Sequence, residues 1–288
     1  MKALRNLAQE LLFQFKLNGA LPQRLFFVLA YYVLYLFHRC LLDSRDESRL
    51  GALATLNRLG LSRRKTVIHW PGGLRLELNL EAASFMPREF LEERMYEEFP
   101  GFSPQSGQTI VDVGAHQGLF ATRAAQRVGP GGKVIAVEAY PANMEFLSRN
   151  KALNGLFNIE LVPLAAAACE GESSLYVATV VSGGHSLVFQ SEMGDDQRAH
   201  IVVKTKKLDD ILSKLGIEKP DLLKIDVEGA AMAVLDGAVQ TLSSRPKIVM
   251  EIEGGADAVK AARRRLERAG YKVRLSRSII YAEPATPR

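Results

Sequence analysis

The stretch TIVDVGAHQG, residues 109 to 118, places an acid, Asp112, just ahead of a loop bounded by Gly114 and Gly118. Glycine admits backbone angles that a side chain forbids and lets a ligand approach the chain closely. At Gly118 the chain turns into a helical pattern, and the N–H groups of a first helical turn receive a carboxylate well. Asp112 can accept hydrogen bonds from an ammonium group. The loop through Gly114, Ala115, His116 and Gly118 therefore suits the amine and carboxylate of an amino-acid end. The next apolar run, KVIAVEA, reaches Glu138 about twenty residues further on, where a carboxylate can accept both hydroxyls of a ribose. An amino acid at one loop and a ribose at the next describe S-adenosyl-L-methionine. A nicotinamide dinucleotide needs a middle glycine to clear its pyrophosphate. Position 116 is a histidine, so that ligand is set aside.

A second group of chemically capable residues lies in KIDVEG, from Lys224 to Gly229, and KIVMEIE, from Lys247 to Glu253. Lys224 and Asp226 are two apart and share a face while the chain stays extended. Glu228 follows at the strand end or in the loop, and Glu251 and Glu253 reach the same edge on the next strand. Chemistry on a bound sulfonium cofactor needs an acceptor held at attack distance and, where the acceptor is a hydroxyl, help in losing its proton. Asp226 is the first choice for hydrogen bonding the acceptor or acting as base. Lys224 would lower the acceptor pKa or pair with Asp226, and Glu251 would complete the surround. Glu228 would orient substrate or cap the following helix. A salt bridge or a cap is the alternative in each case. Such acids also allow a divalent metal; no compact ligand motif requires one, and no metal is assigned. His116 is expected at cofactor or substrate because its loop is there. His185, in SGGHSLV, sits in an irregular, flexible insert that could fold over the pocket onto substrate; a turn or surface role is the alternative. His69 and His200 read as structural, and Trp70 as packing a hairpin.

From Gln108 the pattern alternates. TIVDVG, KVIAVEA, IELVPLAAAA, DLLKIDVEG and KIVMEIE read as strands. Residues Leu119 to Val128, Ala142 to Leu153, Ala230 to Leu242 and Ala256 to Ala269 read as helices, and YKVRL with SIIYAE as a closing hairpin. Strands apolar on both faces imply a mostly parallel sheet covered by helices, with right-handed crossovers placing the loops after the strands along one edge.

These segments resemble the FkbM family of methyltransferases over about Gln108 to Glu253. The resemblance is carried by VDVGAHQG, KVIAVEAYPANMEFLSRNKALNG, VPLAAAACEGESSLYV, GGHSLV, LLKIDVEGAAMAVLDGA and KIVMEIEG. It implies a class I Rossmann-like fold, S-adenosyl-L-methionine as cofactor, and transfer mostly to oxygen, often a hydroxyl on a sugar or natural product. Ala139 stands where the family commonly has proline, and His116 where it often has asparagine. The acid often found after the third strand is missing from AAAACEGE, so backbone groups near Leu164 to Ala166 are left to contact adenine.

The resemblance leaves the start of the chain unexplained. Leu4, Leu7, Leu11, Leu12 and Phe15 recur at helical spacing between Lys2, Arg5, Gln9 and Lys16, a basic amphipathic helix. Leu25 to Phe37 follows without a charge, about 20 Å if helical, short of a hydrocarbon core of about 30 Å. Extension to Leu42 takes in His38 and Arg39, which could snorkel. A helix buried against the catalytic domain or a second subunit, a membrane-surface pair and a true span remain open. The apolar run begins late and lacks a small-residue cleavage site, so a cleaved signal is not expected. Glu47 to Leu61 reads as a helix, TVIHW and LRLELNL as a hairpin, and Pro87 to Phe99 as a charged helix. The expected divisions are 1–65, helical; 66–107, hairpin and helix; and 108–288, the cofactor-binding domain.

Composition is that of a globular protein of 288 residues, 47% hydrophobic and 24% charged, with a loose tail at Pro284 to Arg288. The net charge of +5 is mild and no RNA-binding module is evident, so nucleic acid is not the expected partner. Two distant cysteines suggest neither a disulfide nor a zinc site and fit a reducing, cytoplasmic setting, peripheral on a membrane if the first helices bind one. The rival functions are a non-catalytic scaffold that has kept the fold and an RNA methyltransferase.

Overall fold

A computed structural model describes residues 2–42, 44–178, 182–188 and 199–285; the side chains of residues 2–4 and 46 lie outside the description. The chain divides into two compact units, one of Met1–Met95 with Ala178–Gly183, the other of Tyr96–Val177 with Gly184–Arg288.

The first unit holds α1 (Lys2–Gln14), α2 (Leu21–Leu41), α3 (Arg45–Arg58), a hairpin of β1 (Lys65–His69) and β2 (Arg75–Asn79), and α4 (Leu80–Leu91). Phe27 on α2, Leu56 on α3 and Leu80 on α4 form its core, with Tyr31, Leu34, Leu53 and Phe85 packed around them. Arg24 is buried, with no carboxylate partner among the described residues. Its guanidinium donates to the Gln14 side chain and to the carbonyls of Gln14 and Leu17, and burial lowers its pKa to about 10. The hairpin pairs Ile68 with Leu76 and Lys65 with Asn79, burying Leu76 and Leu78 as their alternation requires.

The expected helix from Pro87 to Phe99 is corrected. The helix begins at Leu80 because the Asn79 side chain accepts from the Ala82 N–H at 2.7 Å and caps it. Pro87 lies inside this helix, which ends at Leu91, well short of Phe99.

The second unit is an α/β fold. Its central sheet runs β11-β12-β10-β9-β3-β4-β5. In chain order these are β3 (Thr109–Val113), α5 (Leu119–Val128), β4 (Lys133–Val137), α6 (Pro141–Leu153) and β5 (Ile159–Val162). After them come β6 (Ala165–Ala166), β7 (Gly171–Tyr176), β8 (His200–Lys206), α7 (Leu208–Lys214), β9 (Leu222–Ile225), α8 (Ala231–Asp236) and α9 (Val239–Ser243). The unit closes with β10 (Lys247–Glu251), α10 (Gly255–Arg268), β11 (Tyr271–Ser276) and β12 (Ile279–Pro284). β3, β4, β5, β9 and β10 are parallel, and β12 enters antiparallel beside β10. This is the mostly parallel sheet with a terminal antiparallel hairpin expected from the sequence. Val111, Val113, Ile135, Leu223, Ile225 and Ile248 fill its core.

Three expectations change. IELVPLAAAA is two strands, because Pro163 has no N–H to continue a ladder and β6 joins a second sheet of order β6-β8-β7. The irregular insert contributes β7 and β8, paired antiparallel from Gly171↔Thr205 to Tyr176↔His200; residues 179–181 and 189–198 of it lie outside the described residues. The helix from Ala230 to Leu242 is two helices broken at Gly237. A Cβ at Gly237 would stand 2.1 Å from the Ala167 carbonyl oxygen, so the backbone passes where no side chain fits. At the carboxyl end, Pro284 belongs to β12 and the Ala285 N–H donates to the Gly270 carbonyl, so the tail starts later than expected; 286–288 lie outside the described residues.

Candidate active site

The site is assembled where β3, β4, β9 and β10 end along one edge of the sheet. Parallel register sets Asp112 opposite Lys224, which puts both side chains on one face. Lys224 Nζ lies 2.9 Å from Asp112 Oδ1 and 3.6 Å from Asp226 Oδ2, and it donates to the Gly114 carbonyl at 3.2 Å. Burial pulls the Lys224 ammonium down, but the charges of Asp112 and Asp226 outweigh it and its pKa is raised. Burial also pushes the Asp112 carboxyl up, and the ammonium pulls it back; at this separation the pair is ionised. Lys224 thus pairs with Asp226, the alternative the sequence offered, and more closely with Asp112, which the sequence did not indicate.

Gly114 has φ +80, and a Cβ there would lie 1.7 Å from the Asp226 carbonyl oxygen. The close approach this glycine permits here is that of the backbone just after β9. Asp226 N–H in turn donates to the Val113 carbonyl at 2.9 Å, so the cofactor-loop end of β3 and the acidic end of β9 are locked together. Gly118 caps α5 in the left-handed region, and its own N–H is taken by the Ala115 carbonyl. A ligand carboxylate is therefore left the N–H groups deeper in the first turn of α5.

Glu138 is nearly buried. Its Oε2 accepts from the His116 N–H and its Oε1 from the Tyr140 N–H, both at 2.8 Å. Burial raises its pKa to about 7 against these donors. His116, at φ +51, thus contributes its backbone to orienting Glu138. Ala115 is buried, with its N–H on the Val137 carbonyl. Ala166 lies in β6 opposite Lys206, on the second sheet.

On the acceptor side, three carboxylates converge. One oxygen each of Asp226, Glu251 and Glu253 lies within 4.8 Å of the others. Tyr96 stands among them, 2% exposed. Its phenol donates to Asp226 Oδ2 at 2.8 Å and lies 3.2 Å from Glu251 Oε2. Its ring packs edge-on against Phe120, with Lys224 Nζ 5.0 Å from the ring centroid. A phenol has one proton for two acceptors. Glu251, raised by burial and then by the charge of Asp226, supplies the second proton when protonated. Its other oxygen accepts from Ser278 Oγ at 2.9 Å. Burial also raises Glu253, although the Gly229 N–H donates to it at 2.7 Å. Each member of the cluster thus accepts at least one hydrogen bond from the protein.

Glu228 adopts φ +51. Burial, then the charges of Asp226, Glu253 and Glu251, raise its pKa to about 9, so it is protonated at neutral pH. The N-cap of α8 is Ala230, without a side-chain bond. His185 lies 4.1 Å from the Tyr140 ring, centroid to centroid, beside the Glu138 loop. Ser186 Oγ donates to the Glu228 carbonyl, and Ser186 bridges to Tyr176 through both backbone groups. The GGHSLV segment therefore joins the Glu138 loop to the Glu228 turn.

Sequence reasoning missed Tyr96, Tyr140, Ser186 and Ser278. Tyr96 carries a structural mark instead: φ +66, an outlier for a bulky residue and a frequent sign of a functional site.

The Methyltransferase FkbM domain matches residues 112–273. Methyltransferase sdnD of Sordaria araneosa is 30% identical over 183 residues, 54% of this chain and 68% of that protein. AMB antimetabolite synthetase AmbE of Pseudomonas aeruginosa is 24% identical over 249 residues, 73% of this chain but only 12% of that much longer protein. Among solved structures, Aeropyrum pernix fibrillarin with natively bound S-adenosyl-L-methionine superposes with a TM-score of 0.41 at 14% identity, covering 76% of this chain and 93% of that one.

Proposed function

Because the chain belongs to the FkbM family of S-adenosylmethionine-dependent methyltransferases, we propose that it transfers the methyl group to a hydroxyl oxygen, on a sugar, glycolipid or other natural product. The observation that carries the proposal is the Tyr96–Asp226–Glu251 arrangement beside Lys224.

The residues of the first two loops fit the cofactor. Asp112 is fully buried and its Oδ2 has no hydrogen-bond partner, an orphan that an ammonium group would satisfy. Glu138 is preset by two backbone donors to accept from a diol. When bound, the cofactor supplies an electrophilic methyl on a sulfonium, so the protein must place an oxygen in line and remove its proton.

Asp226, its side chain 26% exposed, receives the hydrogen bond or proton of the acceptor hydroxyl. Lys224 and Tyr96 hold Asp226 from two sides and fix its orientation. The raised pKa values of Glu251 and Glu228 keep the negative charge around Asp226 low. His185, against Tyr140, borders the space offered to the acceptor. A basic amine acceptor would be held by these carboxylates as its ammonium, which has no lone pair for attack. The similarity to a synthetase of an antimetabolite supports a small-molecule acceptor.

The test is incubation of the full chain with methyl-labelled cofactor and cell extract split into lipid, glycan, small-molecule and RNA fractions. Label in a hydroxyl-bearing lipid, glycan or small molecule supports the proposal. Label confined to RNA, or none in any fraction despite cofactor binding, overturns it in favour of an RNA methyltransferase or a scaffold.

A further inference from the structure

The first unit carries an apolar face that the catalytic chemistry does not use. On α2 the side chains of Phe26, Leu29, Val33, Leu36, Phe37 and Leu41 are exposed, Val33 at 66% and Phe37 at 60%. Their spacing keeps them on one side of the helix. The opposite side, with Phe27, Tyr31 and Leu34, is covered by Leu53, Leu56, Leu80 and Phe85. Half of α2 is therefore packed in protein, and the other half presents a long hydrocarbon stripe larger than scattered surface residues would give. Leu12 on α1 and Phe15 just beyond it are exposed as well.

Length and composition alone would let α2 cross a bilayer: it has 21 residues and a mean hydropathy of 1.3. Its packing argues otherwise. α3, which covers the inner side, carries Arg45, Glu47, Arg49 and Arg58, and a crossing would draw those charges into hydrocarbon. Charge identifies the occupant of the free side. Residues 1–65 contain eleven Lys and Arg against four Asp and Glu, a net +7, whereas the whole chain is only +5. A symmetric contact between two such units would bring like charges together. An anionic lipid surface would attract them, at about 1 kcal/mol per basic residue close to the headgroups.

We propose that α2 lies in the plane of an anionic membrane surface, its Phe26–Val33–Phe37 side sunk into the acyl boundary and its Phe27–Tyr31–Leu34 side kept on the protein core. The device is an interfacial anchor that spans nothing.

Flotation of the full chain tests this, with vesicles of phosphatidylcholine alone or mixed with phosphatidylglycerol, at low and high salt. The expected result is binding to the mixed vesicles, weakened by salt and lowered at least about tenfold in Val33→Asp/Phe37→Asp. The variant should keep the wild-type circular dichroism, thermal midpoint and cofactor affinity. Should it fail to fold, Phe26→Gln/Val33→Gln carries the same comparison. Failure of the wild type to bind mixed vesicles overturns the proposal, as does binding undiminished in a folded variant. So does a wild-type dimer in light scattering that the same substitutions dissociate while no vesicle binding is seen; the face would then be a contact between copies.

Discussion

Replacing Tyr96 by Phe removes one oxygen from the centre of the acceptor site and leaves the ring. The edge-on packing on Phe120 and the Lys224 contact over the ring need no hydroxyl, so the fold is expected to persist. What is lost is a 2.8 Å donor to Asp226 and the bridge at 3.2 Å to Glu251. A hydrogen bond to a charged group is worth about 1.5–3 kcal/mol. If the bond orients Asp226 in the transition state, turnover falls by roughly 10- to 100-fold. Without the shared proton, the negative charge of Asp226 also acts on Glu251 unrelieved, and its already raised pKa climbs further. The acid limb of the pH–rate profile should therefore move to higher pH. The assay is steady-state methyl transfer to the acceptor found by labelling, over a pH series, with S-adenosylhomocysteine affinity by calorimetry as control. Turnover and acid limb both like wild type, with the fold intact, would refute the role given to the phenol.

Asp226→Asn should cut turnover by about 100-fold or more, in the range of a lost general base, while cofactor affinity measured by calorimetry changes little. Gly114→Ala should abolish both activities, because the new Cβ must force the Asp226 carbonyl from 1.7 Å to a normal contact while the residue keeps φ +80; equal cofactor affinity would disprove this. Glu138 accepts ribose hydroxyls best when ionised, and its folded pKa is raised to about 7. Cofactor affinity should be full above that value and decline as pH falls through it, and calorimetry on Glu138→Gln should show weaker binding with this pH dependence gone.

The parts of the fold legible in the sequence are those where one pattern dominates locally. β3 and α5 lie where TIVDV and Leu119–Val128 were expected, since an apolar run ending in a glycine loop has few other solutions. The loop, Glu138 and the KIDVEG acids are brought to one edge because parallel crossovers leave no alternative. Errors arose where a local signal had two meanings. Proline favours a first turn, which pointed to Pro87, yet Asn79 caps the same helix earlier and Pro87 is carried in its interior. Gly237 resembled a tolerated helix glycine, but the Ala167 carbonyl demands that place, a constraint set 70 residues away. Tyr96 had no motif to announce it, because its function comes from meeting Asp226 and Glu251, 130 and 155 residues on. Lys224 had a second partner for the same reason: two-residue spacing pointed to Asp226, which it meets at 3.6 Å, while strand register added Asp112 at 2.9 Å.

The central claim, methyl transfer to oxygen by the Asp226 site, is tested most directly by carbon NMR of the purified product formed with ¹³C-methyl S-adenosylmethionine. A methyl carbon at an O-methyl shift, absent when Asp226→Asn is used, is the predicted result. A methyl bonded to nitrogen, carbon or sulfur in the product, or an O-methyl signal undiminished in Asp226→Asn, would contradict it.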